Sequence, residues 1–221
     1  MNESQHYRIQ SIHLNKFTVF ERLDLSFSSN LNVLIGENST GKTHILKLIY
    51  ASISAINQLA EKNIRNINEQ SSVVASVLLE YFKPDSLGRL KRRSVGAGSA
   101  EVKICFIDQN HKKYSLKYSF SSRSKNRVDI QSLPPLIKTS GLYLPALEML
   151  TLSEGFIGAY ENRETAYDKT YYDLAKALEA APLRGARRNE ASDLVQPLIE
   201  STHLSPNKRG NKFYLKFSGD K

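Results

Sequence analysis

Apolar and polar residues alternate from Tyr7 to Leu14, and Ile9, Ile12 and Leu14 predict a strand with one face on a core. After Asn15-Lys16-Phe17 a second strand is expected at Leu23, Leu25 and Phe27. Ser28-Ser29-Asn30 then turns the chain into a short apolar run, Leu31, Val33, Leu34 and Ile35, which reads as a buried strand. From Lys42 the period changes: Ile45, Ile49, Ile53, Ile56 and Ala60 recur at helical spacing and predict a helix to about Lys62. Two strands this close to the third leave no room for the crossover helix of a Rossmann start. The expected arrangement is an antiparallel hairpin packed beside the core.

The polar stretch Asn63 to Ser72 separates that helix from a second one, expected from about Ser72 to Phe82 and broken at Pro84. Ser94 to Ser99 reads as a flexible loop. Glu101 to Ile107 and Lys113 to Phe120 read as a strand pair turning at Asp108 to His111. A further strand is expected at Leu136-Ile137 and Gly141 to Leu144, ended by Pro145, with Ala146 to Glu148 leading towards a helical region. Tyr171, Leu174 and Leu178 predict an amphipathic helix from Tyr167 to Ala181. Ala191 to Ser201 reads as a helix kinked or split by Pro197, and Lys212 to Phe217 as a last strand. The fold class is α/β, with a mixed sheet, an antiparallel β subdomain and a helical insert.

Between the run at Leu31 and the helix at Lys42 stands Gly36-Glu37-Asn38-Ser39-Thr40-Gly41-Lys42-Thr43, which fits G-x-x-x-x-G-K-[ST] at every fixed position. Glycine at positions 36 and 41 lets the backbone turn tightly and bring its N–H groups close to phosphate oxygens. The helix start adds the positive end of its dipole. Lys42 supplies an ammonium for the β- and γ-phosphates of ATP, Thr43 a hydroxyl for Mg²⁺, and His44 follows within reach of the nucleotide.

Composition changes the picture in one place. The net charge is +9, and between Arg89 and Arg127 eleven basic residues face two acids, so this segment carries the whole excess. Such a cluster is a candidate polyanion footprint, with Arg92, Arg93, Lys112 and Lys113 as candidate nucleic-acid contacts. A solvated hairpin guarded by lysines explains the same charges. The one cysteine, Cys105, excludes an internal disulfide and reads as a buried apolar residue. The five histidines have no metal-ligand spacing. No apolar run reaches membrane length, and Met-Asn-Glu-Ser-Gln-His lacks the regions of a signal peptide, so a cytoplasmic protein with no membrane partner is expected.

The runs Ile12 to Phe17, Leu23 to Phe27 and Leu31 to Thr43, with Asn38 at the third place of the loop, resemble the opening of ABC-type ATPases of the RecF/SMC/OLD group. That group usually has Gly or Ala where this chain has Ser39. Tyr143 to Glu148, Gly155-Phe156, Tyr160 to Glu164, Thr170 to Leu174 and Pro182 to Gly185 are similar to the interlobe region of prokaryotic AAA-type ATPases within it. The resemblance implies one ATPase head portion: residues 1–62 carry the strands, loop and first helix, 63–138 a helix and the basic hairpin, and 139–221 the interlobe helices and last strand.

It also implies a Walker B Asp-Glu pair and a Ser-Gly signature for hydrolysis. No apolar run here ends in two acids; Ile104 to Asp108 comes nearest but is followed by Gln109, and Leu152-Ser-Glu-Gly155 reads as a helix start. The catalytic acids are therefore unknown, and this stretch alone is expected to bind ATP without hydrolysing it. A second ATPase subunit or a C-terminal lobe would complete the site. DNA and a nuclease or effector protein are the further partners implied, in DNA-linked processes or anti-phage defence. The alternatives are a non-catalytic interaction module with nucleotide as structural ligand, or a small P-loop phosphotransferase.

Overall fold

The computed structural model describes residues 7–93, 98–108, 110–136, 139, 141–146, 155–180, 196, 200–201, 204–209 and 212–217. The chain forms two compact units, Met1–Tyr143 and Leu144–Lys221.

In the first unit the opening alternation forms β1 (Arg8–Phe17) and β2 (Phe20–Ser26), an antiparallel hairpin pairing Leu14 with Leu23 and Phe17 with Phe20. With β3 (Ala100–Ile107), β4 (Lys113–Phe120) and β5 (Asp129–Ser132) they make a five-stranded sheet ordered β2-β1-β3-β4-β5, antiparallel at every pairing. The period-two pattern sorts its faces. Ile12, Leu14, Val102, Ile104, Leu116, Tyr118 and Phe120 are buried on one side, while His13, Asn15, Lys103 and Lys117 stand on the other.

Against the apolar face lie α1 (Lys42–Glu61) and α2 (Ile67–Phe82), which bury Leu48, Ala51, Ala55 and Leu59, and Val74, Leu78 and Tyr81. Each large side chain removed from water here contributes about 1.5–3 kcal/mol before entropy is counted. α2 begins five residues before the expected Ser72, because the Asn66 side chain accepts the Asn68 N–H at 2.8 Å and caps the helix. The second half of the polar stretch is therefore the start of the helix. Within it Ser71 is buried, and its hydroxyl bonds both the carbonyl and the N–H of Val128 at the entrance to β5.

Two expected strands are absent. Residues 31–35 form no strand, with Leu31, Val33 and Ile35 exposed at 81%, 68% and 91%. Among the described residues the sheet ends at β2 and offers this run no neighbour. Residues 141–144 likewise form no strand, with Leu142 and Leu144 exposed. Cys105 is half-buried on the polar sheet face rather than in the core, because strand alternation gives the inward places to Ile104 and Phe106.

In the second unit, α3 (Phe156–Glu161) follows Gly155 and α4 (Lys169–Glu179) follows Asp168, whose carboxylate accepts the Thr170 N–H at 2.9 Å. Phe156, Tyr160, Tyr167, Tyr171 and Tyr172 pack together here, with Tyr160 and Tyr172 stacked at 4.6 Å. Glu161 accepts the Tyr172 hydroxyl at 2.6 Å, which with Lys176 holds its carboxyl below the usual range; Glu164 lies beyond the helix end. β6 (Leu204–Arg209) and β7 (Lys212–Phe217) form a separate antiparallel hairpin. Expectations for residues 147–154 and for most of 191–201 lie outside the described residues.

Candidate nucleotide site

The loop that joins the exposed run to α1 is open to solvent from Gly36 to Thr40. The Thr40 hydroxyl donates to the Glu37 carbonyl at 2.9 Å, and Ser39 takes a left-handed φ of +65°. Lys42 Nζ donates to the carbonyls of Gly36 and Glu37, both at 2.6 Å, which brings the ammonium back over the loop. Gly41, at φ +98°, is the N-cap of α1. A β-carbon there would meet Phe20 Cζ at 2.5 Å and Val19 Cγ2 at 2.6 Å, so the hairpin turn presses directly on the loop's end.

Helix α1 starts without a side-chain cap and without an acidic residue in its first turn. The N–H groups and dipole of a 20-residue helix therefore meet no carboxylate from the helix's own first turn. An exposed backbone loop, an ammonium folded over it, an uncapped helix start and the exposed Thr43 fit a phosphate chain with Mg²⁺. His44 turns elsewhere: its ring stands edge-on to Phe82 at 5.8 Å, and its Nδ1 is buried with no hydrogen-bond partner among the described residues. Burial, and secondarily Lys47, push its pKa down.

The structure separates the two basic pairs. Arg92 lies at the Phe17 end of the sheet, where its backbone N–H donates to the Lys16 carbonyl at 2.8 Å, its guanidinium donates to the Val19 carbonyl, and Glu21 lies 3.2 Å away. Arg93 follows it, exposed. Lys112 and Lys113 lie at the β3–β4 turn, where Ile107 pairs with Lys113. The eight residues of β3 intervene, a span of about 25 Å. Asp108, which ends the run nearest to a Walker B pattern, organises that turn: its carboxylate accepts the N–H groups of Asn110 and Lys112 at 2.9 and 2.8 Å and the Tyr114 hydroxyl at 3.2 Å.

The family model of the AAA ATPase domain matches residues 8–203. The chain belongs to the AAA ATPase domain family. Among curated relatives, the DNA replication and repair protein RecF of Agathobacter rectalis is 25% identical over 180 residues, covering 59% of this chain and 48% of that protein. RecF of Bacillus thuringiensis strain Al Hakam is 26% identical over 151 residues, covering 66% of this chain and 33% of that protein. This AAA ATPase domain thus spans about half, or a third, of the relatives it matches. A solved chain described as "Structural biochemistry of ATP-driven dimerization and DNA stimulated activation of SMC ATPases" is 15% identical, with a TM-score of 0.37 over 56% of this chain and 69% of that one. No helix among the domain's described residues is long and apolar enough to cross a membrane.

Sequence reasoning missed Val19 and Phe20 as supports of the loop. Their sequence signal is only a tight turn followed by an aromatic residue; the contact with Gly41 is long-range and follows from the fold.

Proposed function

We propose that this chain is the ATP-binding portion of an ABC-type ATPase whose assembly is gated by nucleotide. The observation that carries the reading is the loop itself: Gly36 to Thr40 lie exposed in front of an uncapped helix start, with the Lys42 ammonium over their carbonyls. In this reading Lys42 exchanges its two carbonyl partners for the β- and γ-phosphates, to which it donates charge-assisted bonds. The backbone of Gly36 to Thr43 would cradle the phosphates, and the Thr43 hydroxyl would hold Mg²⁺, which would supply neutralisation of their charge. His44 keeps its place against Phe82.

The rest of the site comes from outside residues 1–221, from a C-terminal lobe or a second ATPase subunit. What supports this is the apolar run leading into the loop, whose Leu31, Val33 and Ile35 face water. An apolar run exposed on this scale is covered in an assembled protein. Nucleotide then favours the assembled state by binding it more tightly than the separate halves. The process served is DNA-linked, or an anti-phage defence in which a nuclease or effector protein is coupled to the ATPase. A direct test is nucleotide-dependent association. Purified residues 1–221 should bind ATP with Mg²⁺ but turn it over only when joined by the completing partner; Lys42-dependent turnover by residues 1–221 alone would overturn the split-site reading.

A further inference from the structure

A cavity of about 500 Å³ opens in the first unit and is lined by Arg89, Lys91, Arg92 and Arg93 together with Ser86 and Ser122. Its walls are fixed by backbone. The 3₁₀ turn Leu87–Leu90 is anchored by Leu87 and Leu90, both buried, and the Leu87 and Gly88 N–H groups donate to the Lys125 and Ser124 carbonyls at 3.2 and 2.8 Å. The two segments touch so closely that a β-carbon on Gly88 would lie 2.1 Å from the Ser122 carbonyl oxygen. On the other side the Thr18 N–H donates to the Leu90 carbonyl at 2.7 Å.

Four cations therefore share one rigid cavity that no carboxylate lines. Arg92 is matched by Glu21, and among the described residues Arg89 has only the exposed Asp85 at 4.0 Å. Among the described residues no carboxylate comes within ion-pair distance of Lys91 or Arg93. Like charges gathered in this way repel unless an anion sits among them, and guanidinium forks suit the oxygens of a phosphate group. We propose that this cavity is a phosphate-binding site, separate from the nucleotide loop. The shared chemistry is that of a free polyphosphate compound and of a nucleic-acid backbone. The site stands on its own residues, independent of the nucleotide reading.

The test uses residues 1–221 carrying Lys42→Ala, so that the nucleotide loop does not compete. Binding of inorganic tripolyphosphate and of a short DNA duplex is measured as salt is varied. Arg89→Gln with Arg93→Gln is expected to weaken the responding ligand by about tenfold or more and to lower the slope of log affinity against log salt by about two, one for each lost phosphate contact. A response by tripolyphosphate alone assigns the cavity to a free phosphate compound; a response by the duplex assigns it to a nucleic-acid backbone. Lys91→Gln repeats the test singly, should the double variant melt early. Lys112→Gln with Lys113→Gln, at the far end of the sheet, is the control for diffuse charge. Failure of both ligands to bind, or equal weakening by the control pair, overturns the proposal.

Discussion

A β-carbon on Gly41 would stand 2.5 Å from Phe20 Cζ, closer than any side-chain contact allows, and Gly41 itself adopts φ +98°. The nucleotide loop is thus held by the hairpin turn and by a backbone conformation that only glycine takes without strain. Gly41→Ala is expected to lower stability by about 1–3 kcal/mol in urea unfolding and to weaken nucleotide binding. Adding Phe20→Ala relieves the ring contact but neither the Val19 contact nor the φ strain, so the double variant recovers only the ring's share once the cost of Phe20→Ala alone is subtracted in a double-mutant cycle.

The run at Leu31 is exposed, and substitutions there are expected to leave the fold alone. Val33→Ser with Ile35→Ser should change the unfolding free energy of residues 1–221 by no more than about 0.5 kcal/mol. A strand buried within this chain would lose about 2–5 kcal/mol for each such truncation. Where the completing partner is present, the same pair should abolish association, which sedimentation reads directly.

Ser71 ties α2 to the start of β5 through two hydrogen bonds to Val128, one of 3.1 Å from the Val128 N–H. Ser71→Ala leaves both Val128 groups unpaired in a buried place, an expected loss of about 1–3 kcal/mol. Chemical denaturation checks it, with Ser76→Ala, an exposed position on the same helix, as the near-neutral control.

His44 sets a pH dependence. Its folded pKa lies below the ordinary 6.5, chiefly through burial and then through Lys47. The unfolded chain therefore takes up the proton first, and stability is complete above the unfolded value. It falls as pH drops below 6.5 and levels off once pH is under the folded value. Melting temperatures from pH 8 to pH 5 should show this loss, and His44→Gln should remove its share of the slope.

Much of this was legible in the sequence because it is local. The alternation at Ile12 and Leu14, the helical spacing from Ile45 and the eight-residue loop each encode one element, and each element stands close to where the pattern put it. The start of α2 was hidden because Asn66 acts as a cap while the polar residues after it look like a linker. The strand at Leu31 was misread because apolar composition reports a need for burial but does not say what supplies it. At the site, the residue types of the loop were readable from spacing. Three relationships came only from long-range packing: the turn of Val19 and Phe20 against Gly41, the turning of His44 to Phe82, and the distance between Arg92 and Lys113.

Titration of residues 1–221 with ATP in the presence of Mg²⁺, followed by calorimetry beside Lys42→Ala, tests the nucleotide site most directly. The account predicts saturable binding that the substitution weakens by about tenfold or more, since the lost ammonium is a charge-assisted partner of the phosphates. Absence of binding, or equal affinity in the two proteins, would contradict it.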